Sequence, residues 1–216
     1  CTRCGIVFAK YDAGRRLRPR PLPERPVRPA LPGIAGELDP SWRAPVVARA
    51  LLWVALSGWT VAFARQDIAS NFAGESVLHL VNLVFHEAGH IVFAPFGRFV
   101  AVAGGSLLQV LVPIACAVAL WRARDRFGAA VGLWWAGQNL LDLAPYINDA
   151  RALQLVLLGG RTGAEGEGHD WEYLLSALGW LHRDHTLALA AHVLGLAVMG
   201  LALVAGAAVL LRQWRR

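Results

Sequence analysis

The chain has 216 residues, 56% of them hydrophobic and only 17% charged, with nine Trp and a formal charge of +6. A mean hydropathy of +0.44 is too apolar for an ordinary soluble domain and indicates an integral membrane protein. The charge is almost all Arg, gathered before the first apolar run and at Arg212, Arg215 and Arg216; it reads as a membrane-topology signal and argues against nucleic acid as a partner.

Residues 1–14 open Cys1-Thr-Arg-Cys4-Gly5 and read as a zinc-ribbon-like knuckle. Two thiolates on a turn that Gly5 permits supply half of a structural zinc site. No second C-x-x-C follows, so three readings compete: ligands upstream, ligands from a second chain, or a relic. The second makes the knuckle a contact for a partner or for another copy of the chain. Lipidation of Cys1 is a weaker alternative, because Cys4-Gly5 continues the knuckle. The third cysteine, Cys116, lies in an apolar run, so no disulfide framework is expected. Residues 15–43 are an Arg/Pro-rich linker with no core of their own. The polar, basic opening residues give no expectation of a secretory signal peptide.

Residues 44–216 are predicted to form an all-α, multi-span membrane domain. Apolar runs cover 44–64, 77–96, 100–121, 127–147 and 186–211, each near the ~20 residues that a spanning helix needs. Four to five hydrophobic helices are therefore expected. The first run is a plain anchor or packing helix. The second carries His79, Asn82, His86 and His90 at i, i+3, i+7 and i+11, one face of a helix. His86-Glu87-x-x-His90 is an H-E-x-x-H pattern: two imidazoles four residues apart can share one zinc, with the adjacent Glu as general base on a zinc-activated water. Ionisable groups in an apolar span cost about 2.5 kcal/mol or more each unless paired or facing a cavity, which weighs against a chance match.

In the third run Gly104-Gly105-Ser106 and Gln109 permit either close helix packing or a re-entrant, non-helical piece beside a cavity. The fourth ends Asn139-Leu-Leu-Asp142-Leu-Ala-Pro145-Tyr146-Ile-Asn148-Asp149. Asp142 and Asp149 are the leading suppliers of the third metal ligand that a catalytic zinc requires, although Asp149 also reads as a cap for the segment 150–158. The glycine-rich, acidic 159–185 loop carries His169-Asp170. Either residue is a secondary candidate as a ligand arm folding over the site or as a substrate contact, and Asp170 also reads as a helix N-cap. His182 and His185 read as interfacial, and His192 as a core histidine.

Charge placement raises one conflict. Five full crossings would separate the basic N- and C-termini and put Arg122, Arg124 and Arg126 on the wrong side. One net crossing by 77–121 resolves it, with part of 97–110 re-entrant, the termini cytoplasmic and the 159–185 loop outside.

With both polar faces described, the chain resembles the site-2 protease family of membrane-embedded zinc metalloproteases over residues 76–150. In that family an H-E-x-x-H on one transmembrane helix is joined by an Asp after an Asn/Pro-rich turn on a later helix. His86, Glu87 and His90 match the first motif, and Asn139…Pro145-Tyr-Ile-Asn-Asp149 is a divergent form of the second, with Ala150 where Gly is usual. The resemblance implies an enzyme: an intramembrane zinc metallopeptidase acting on membrane-protein or peptide substrates, with Zn²⁺ held by His86, His90 and Asp149 or Asp142. His79, Asn82, Asn139 and Gln109 would line the water path. It implies residence in the lipid bilayer of a bacterial inner membrane, with a cytoplasmic N-terminus. The competing readings are a non-catalytic metal-binding membrane protein (a sensor, carrier or inactive relative), in which Glu87 is dispensable, and a membrane scaffold with no intramembrane metal.

Overall fold

The computed structural model describes residues 43–166 and 168–215. The Cys1/Cys4 knuckle and the Arg/Pro-rich linker lie outside the described residues. What is described is all-α: α1 (Arg43–Ala64), α2 (Val77–Phe93), α3 (Arg98–Arg122), α4 (Arg126–Asn148), α5 (Asp170–Ala177) and α6 (Asp184–Trp214), with short 3-10 turns between them. Four helical stretches are long and apolar enough to cross a membrane: Ala44–Ala64, Val77–Phe96, Arg98–Arg122 and Leu181–Trp214. The helices expected at 44–64, 77–96, 100–121 and 186–211 are therefore present.

The fifth expected helix, at 127–147, forms too, but as the polar centre of the bundle. α4 is buried along most of its length, including Gln138, Asn139 and Asp142, and packs between α3 and α6. A helix shielded from lipid by its neighbours can carry polar groups that a lipid-facing one cannot. Asp125 caps its start, accepting from Gly128 N–H at 3.0 Å.

Small residues set the closest approaches. On α4, a Cβ at Gly137 would stand 2.8 Å from the Gly195 carbonyl oxygen of α6, and one at Gly195 would stand 2.7 Å from that of Gly137. Gly89 of α2 and Gly104 of α3 make the equivalent contact, with a Cβ at Gly89 only 2.1 Å from the Gly104 oxygen. This is the small-residue packing by which helices associate in lipid. It also settles the third apolar run: α3 runs without a break from Arg98, so 97–110 is not a non-helical re-entrant piece, and its glycines serve helix contact.

Indole N–H groups tie the outer helices in place. Trp53 of α1 donates to the Leu203 carbonyl of α6 at 2.9 Å, and Trp134 of α4 donates to Thr60 of α1 at 2.8 Å. At the other end of α6, the fully buried Asp184 accepts from Arg151 at 2.7 Å and from the His185 N–H at 2.7 Å. That pair fixes the segment after α4 against the start of α6, and with it the loop that leads to α5.

Candidate metal centre

The row on α2 meets a polar seam built by α3 and α4. Asp142 lies at its centre, buried, and its carboxylate can only accept. Its Oδ1 faces His79 Nδ1 at 3.0 Å. Its Oδ2 accepts from Asn82 Nδ2 at 3.0 Å and from Gln109 Nε2 at 2.9 Å. Asn82, fully buried, also donates to Gln138 Oε1 at 2.9 Å and accepts from Trp135 Nε1 at 2.9 Å.

That seam fixes a proton. With its amide nitrogen committed to Asp142, Gln109 turns Oε1 toward His86 Nδ1 at 2.9 Å. An amide oxygen only accepts, so His86 carries a hydrogen on Nδ1, and in the neutral ring its Nε2 is the lone-pair nitrogen. His90 Nδ1 is likewise 3.0 Å from the Ala101 carbonyl oxygen, so in its neutral ring too Nε2 is the lone-pair nitrogen. Both Nε2 atoms point at one carboxylate oxygen, Asp170 Oδ2, at 2.9 Å from His86 and 3.3 Å from His90. Ligand atoms of these three residues all lie within 4.8 Å of one another. At that range a lone-pair nitrogen and an anionic oxygen repel, so either a proton on each Nε2 or a cation shared by all three holds the group together.

Three further observations fit a zinc ion there. Two imidazoles and one carboxylate are a donor set that catalytic zinc uses, and ligands about 2.0–2.1 Å from one ion in tetrahedral directions stand about 3.3 Å apart. Behind the nitrogens, Gly105 leaves space that a side chain would fill: a Cβ would lie 2.7 Å from His90 Nε2 and 2.8 Å from His86 Nε2. The Nδ1 partners Gln109 and Ala101 are the orienting contacts that metal-ligating histidines use.

α5 delivers Asp170 in first position. His169, not Asp170, is the N-cap: its Nδ1 accepts from Glu172 N–H at 3.1 Å. The expected cap role thus passes to the neighbour and leaves the Asp170 carboxylate for the histidines. Tyr146, at the end of α4, holds the backbone there by accepting from Asp170 N–H at 2.9 Å, and its ring packs 4.4 Å from the His169 ring. Burial alone would raise the Asp170 carboxyl, but its hydrogen bonds with His86 and His90 outweigh burial and hold it below the ordinary range. Burial pushes the His169 imidazole down, against the opposing pull of Asp149.

The leading sequence candidates for the third ligand sit elsewhere. Asp142 lies behind the histidines, linked to His86 only through Gln109. Asp149 folds the next loop, accepting from Gln154 N–H and Leu155 N–H at 2.9 Å each, with His169 Nε2 at 3.5 Å. Asn139 donates to the Trp135 carbonyl one turn back and takes no part. His79 belongs to the Asp142 side of the seam. The roles of Gln109 and Gly105 carry no signature in a single sequence; His169-Asp170, an ionisable pair closing a glycine-rich loop, is the signal that leads to the third donor.

Glu87, half-buried, shares a cavity of about 620 Å³ with His86, His90, Tyr146 and Asp170. The 155–168 loop contributes further lining and is closed on itself by an antiparallel bridge between Val156 and Thr162. Helix packing thus places an acid beside three convergent donors in a space large enough for a peptide segment. Comparison with protein-family models, with curated proteins and with solved structures found no match to this chain.

Proposed function

We propose that the chain is a membrane-embedded zinc metalloprotease that hydrolyses peptide bonds of membrane-protein substrates, residing in a bacterial inner membrane with its N-terminus in the cytoplasm. The observation that carries this reading is the convergence of His86 Nε2, His90 Nε2 and Asp170 Oδ2 beside Glu87 in one cavity. The ligand set supported by that geometry is His86, His90 and Asp170, in place of Asp149 or Asp142. Zinc held by it would supply Lewis acidity, polarising a carbonyl and lowering the pKa of water toward neutrality.

The chain's own residues do the rest. Glu87 takes the proton of the attacking water as the C–O bond forms at the peptide carbonyl. It returns that proton to the amide nitrogen as the C–N bond breaks, and the second water proton passes from the new carboxyl to the amine, leaving a carboxylate and an ammonium. Asp142 and Gln109 keep the His86 hydrogen on Nδ1 throughout. The buried seam keeps water to the cavity side, and a substrate helix must unwind locally to present its carbonyl there.

The test compares wild type with Glu87→Gln, by zinc content and by neo-N-termini of membrane proteins reconstituted with each in vesicles. Glu87→Gln is expected to keep the metal and to lower cleavage by about 10²–10⁴-fold, the range for loss of a general acid–base. Undiminished turnover in that variant sinks the proteolytic mechanism. Bound zinc with no Glu87-dependent product in either protein moves the reading to a non-catalytic metal carrier or sensor.

A further inference from the structure

One end of the bundle gathers the start of α1, the turn between α3 and α4, and the last part of α6. Arg49 of α1 is 4.0 Å from Asp125 in that turn and lies over the Phe127 ring. Gly206 of α6 faces both Trp53 and Phe127. The metal centre is at the other end. There the end of α4 meets the start of α6 through Asn148 with His185 and Arg151 with Asp184. The start of α3 meets α5 through Arg98 over the Tyr173 ring at 4.6 Å. The chain leaving α1 packs Ile68 against Leu143, Ile147 and Ala188 at that same end. So α1, α3, α4 and α6 each run the full length. Their 22 to 31 residues span about 33–46 Å at 1.5 Å per residue, beyond the ~30 Å of a hydrocarbon core.

α2 is different, because both of its ends lie at the metal-centre end. Ahead of it, Phe72 and Ala73 share a small cavity with Pro145 and His192, and Asn71 and Gly74 line the main cavity with the 155–168 loop. Behind it, the turn Ala94–Phe96 feeds straight into the start of α3. Its 17 residues reach about 26 Å, the shortest of the long helices, so the placement of its ends and not its length decides whether it crosses. Length and composition nominate Val77–Phe96 as a span and pass over α4; the contacts at the two ends reverse that choice.

We infer that α2 is a re-entrant helix, entering and leaving the membrane on one face, and that the metal centre opens on the non-cytoplasmic face. Of the 21 Lys and Arg, only Arg65, Arg98, Arg151, Arg161 and Arg183 fall in segments at the metal-centre end. The others precede α1 or join the chain at the opposite end, and such an excess marks the cytoplasmic side. A re-entrant segment is tolerated at membrane depth where protein or a water-filled cavity covers its polar groups, as the Asp142 seam and the main cavity do for α2. The last step rests on the hydrolase reading: the substrate is then a polypeptide segment presented from the outer side of the membrane.

The test is labelling by a membrane-impermeant maleimide in sealed spheroplasts. Single cysteines are placed by Glu75→Cys, Phe96→Cys, Leu158→Cys and Ala123→Cys in a full chain whose three native cysteines are alanine. Positions 75, 96 and 158 are expected to label in sealed spheroplasts, and position 123 only after permeabilisation. Fusions after Arg215, which leave the native cysteines in place, are expected to give fluorescent green fluorescent protein and inactive alkaline phosphatase. Labelling of 75 and 96 from opposite sides overturns re-entry. A pattern inverted at every position, or an active phosphatase fusion, overturns the outward opening. Neither readout needs metal or catalysis, so this inference and the hydrolase reading fail by separate results.

Discussion

α4 turns two unlike faces to its neighbours. Toward α6 it is dry: Gly137 against Gly195, with Leu141 and Met199 buried in one apolar cluster. Toward α2 and α3 it is polar: Gln138 and Asp142 bonded to Asn82, Gln109 and His79. The dry face holds the helices by shape and dispersion, so its tolerance is set by volume. The polar face holds a direction: Asp142 accepts from Gln109, and the chain of bonds ends on the Nδ1 hydrogen of His86. Close packing and polar bonding are thereby assigned to opposite sides of one helix.

Substitutions on each side should separate the two. The largest effect on metal is expected from Gly105→Ala on the polar side. Its methyl would stand 2.7–2.8 Å from both Nε2 atoms, so zinc binding is lost while the helical fold, read by circular dichroism, is kept. Next is Asp142→Asn, which replaces an acceptor-only group by one that also donates and frees Gln109 to turn. Loss of such an outer contact weakens metal affinity about 10–100-fold, measurable by competition with a zinc chelator. Smallest for the metal is Gly137→Ala on the dry side. It should cost about 1–3 kcal/mol of stability through overpacking, read by thermal unfolding in detergent, with zinc per folded chain unchanged. If Gly137→Ala instead removed zinc without lowering stability, the two faces would not be independent.

The two faces are also unequally legible in the sequence. The HExxH row is local, and a 3.6-residue period reports it directly. Glycines at helix contacts are local too, although close packing and re-entry remain equivalent readings until the continuous α3 decides between them. Asp170 is not local: it stands 84 residues from His86, beyond two helices and a glycine-rich loop. Only a folded chain shows that His169 takes the capping bond and leaves Asp170 free. Asp142 and Asp149 draw the ligand role because carboxylates in an apolar span demand a reason. They have one, but it is hydrogen bonding: Asp142 sets a tautomer and Asp149 shapes a loop. The charge imbalance is legible too, but it names no segment: the re-entrant piece it suggests at 97–110 is continuous helix.

The most direct measurement is zinc per chain in the full-length, detergent-solubilised protein with Cys1 and Cys4 replaced by Ser, so that the membrane domain is the source of any bound metal. One zinc is expected, kept in Asp149→Ala and lost in both His86→Ala and Asp170→Ala. Zinc retained in folded Asp170→Ala, or absent from the folded parent, contradicts the His86–His90–Asp170 centre.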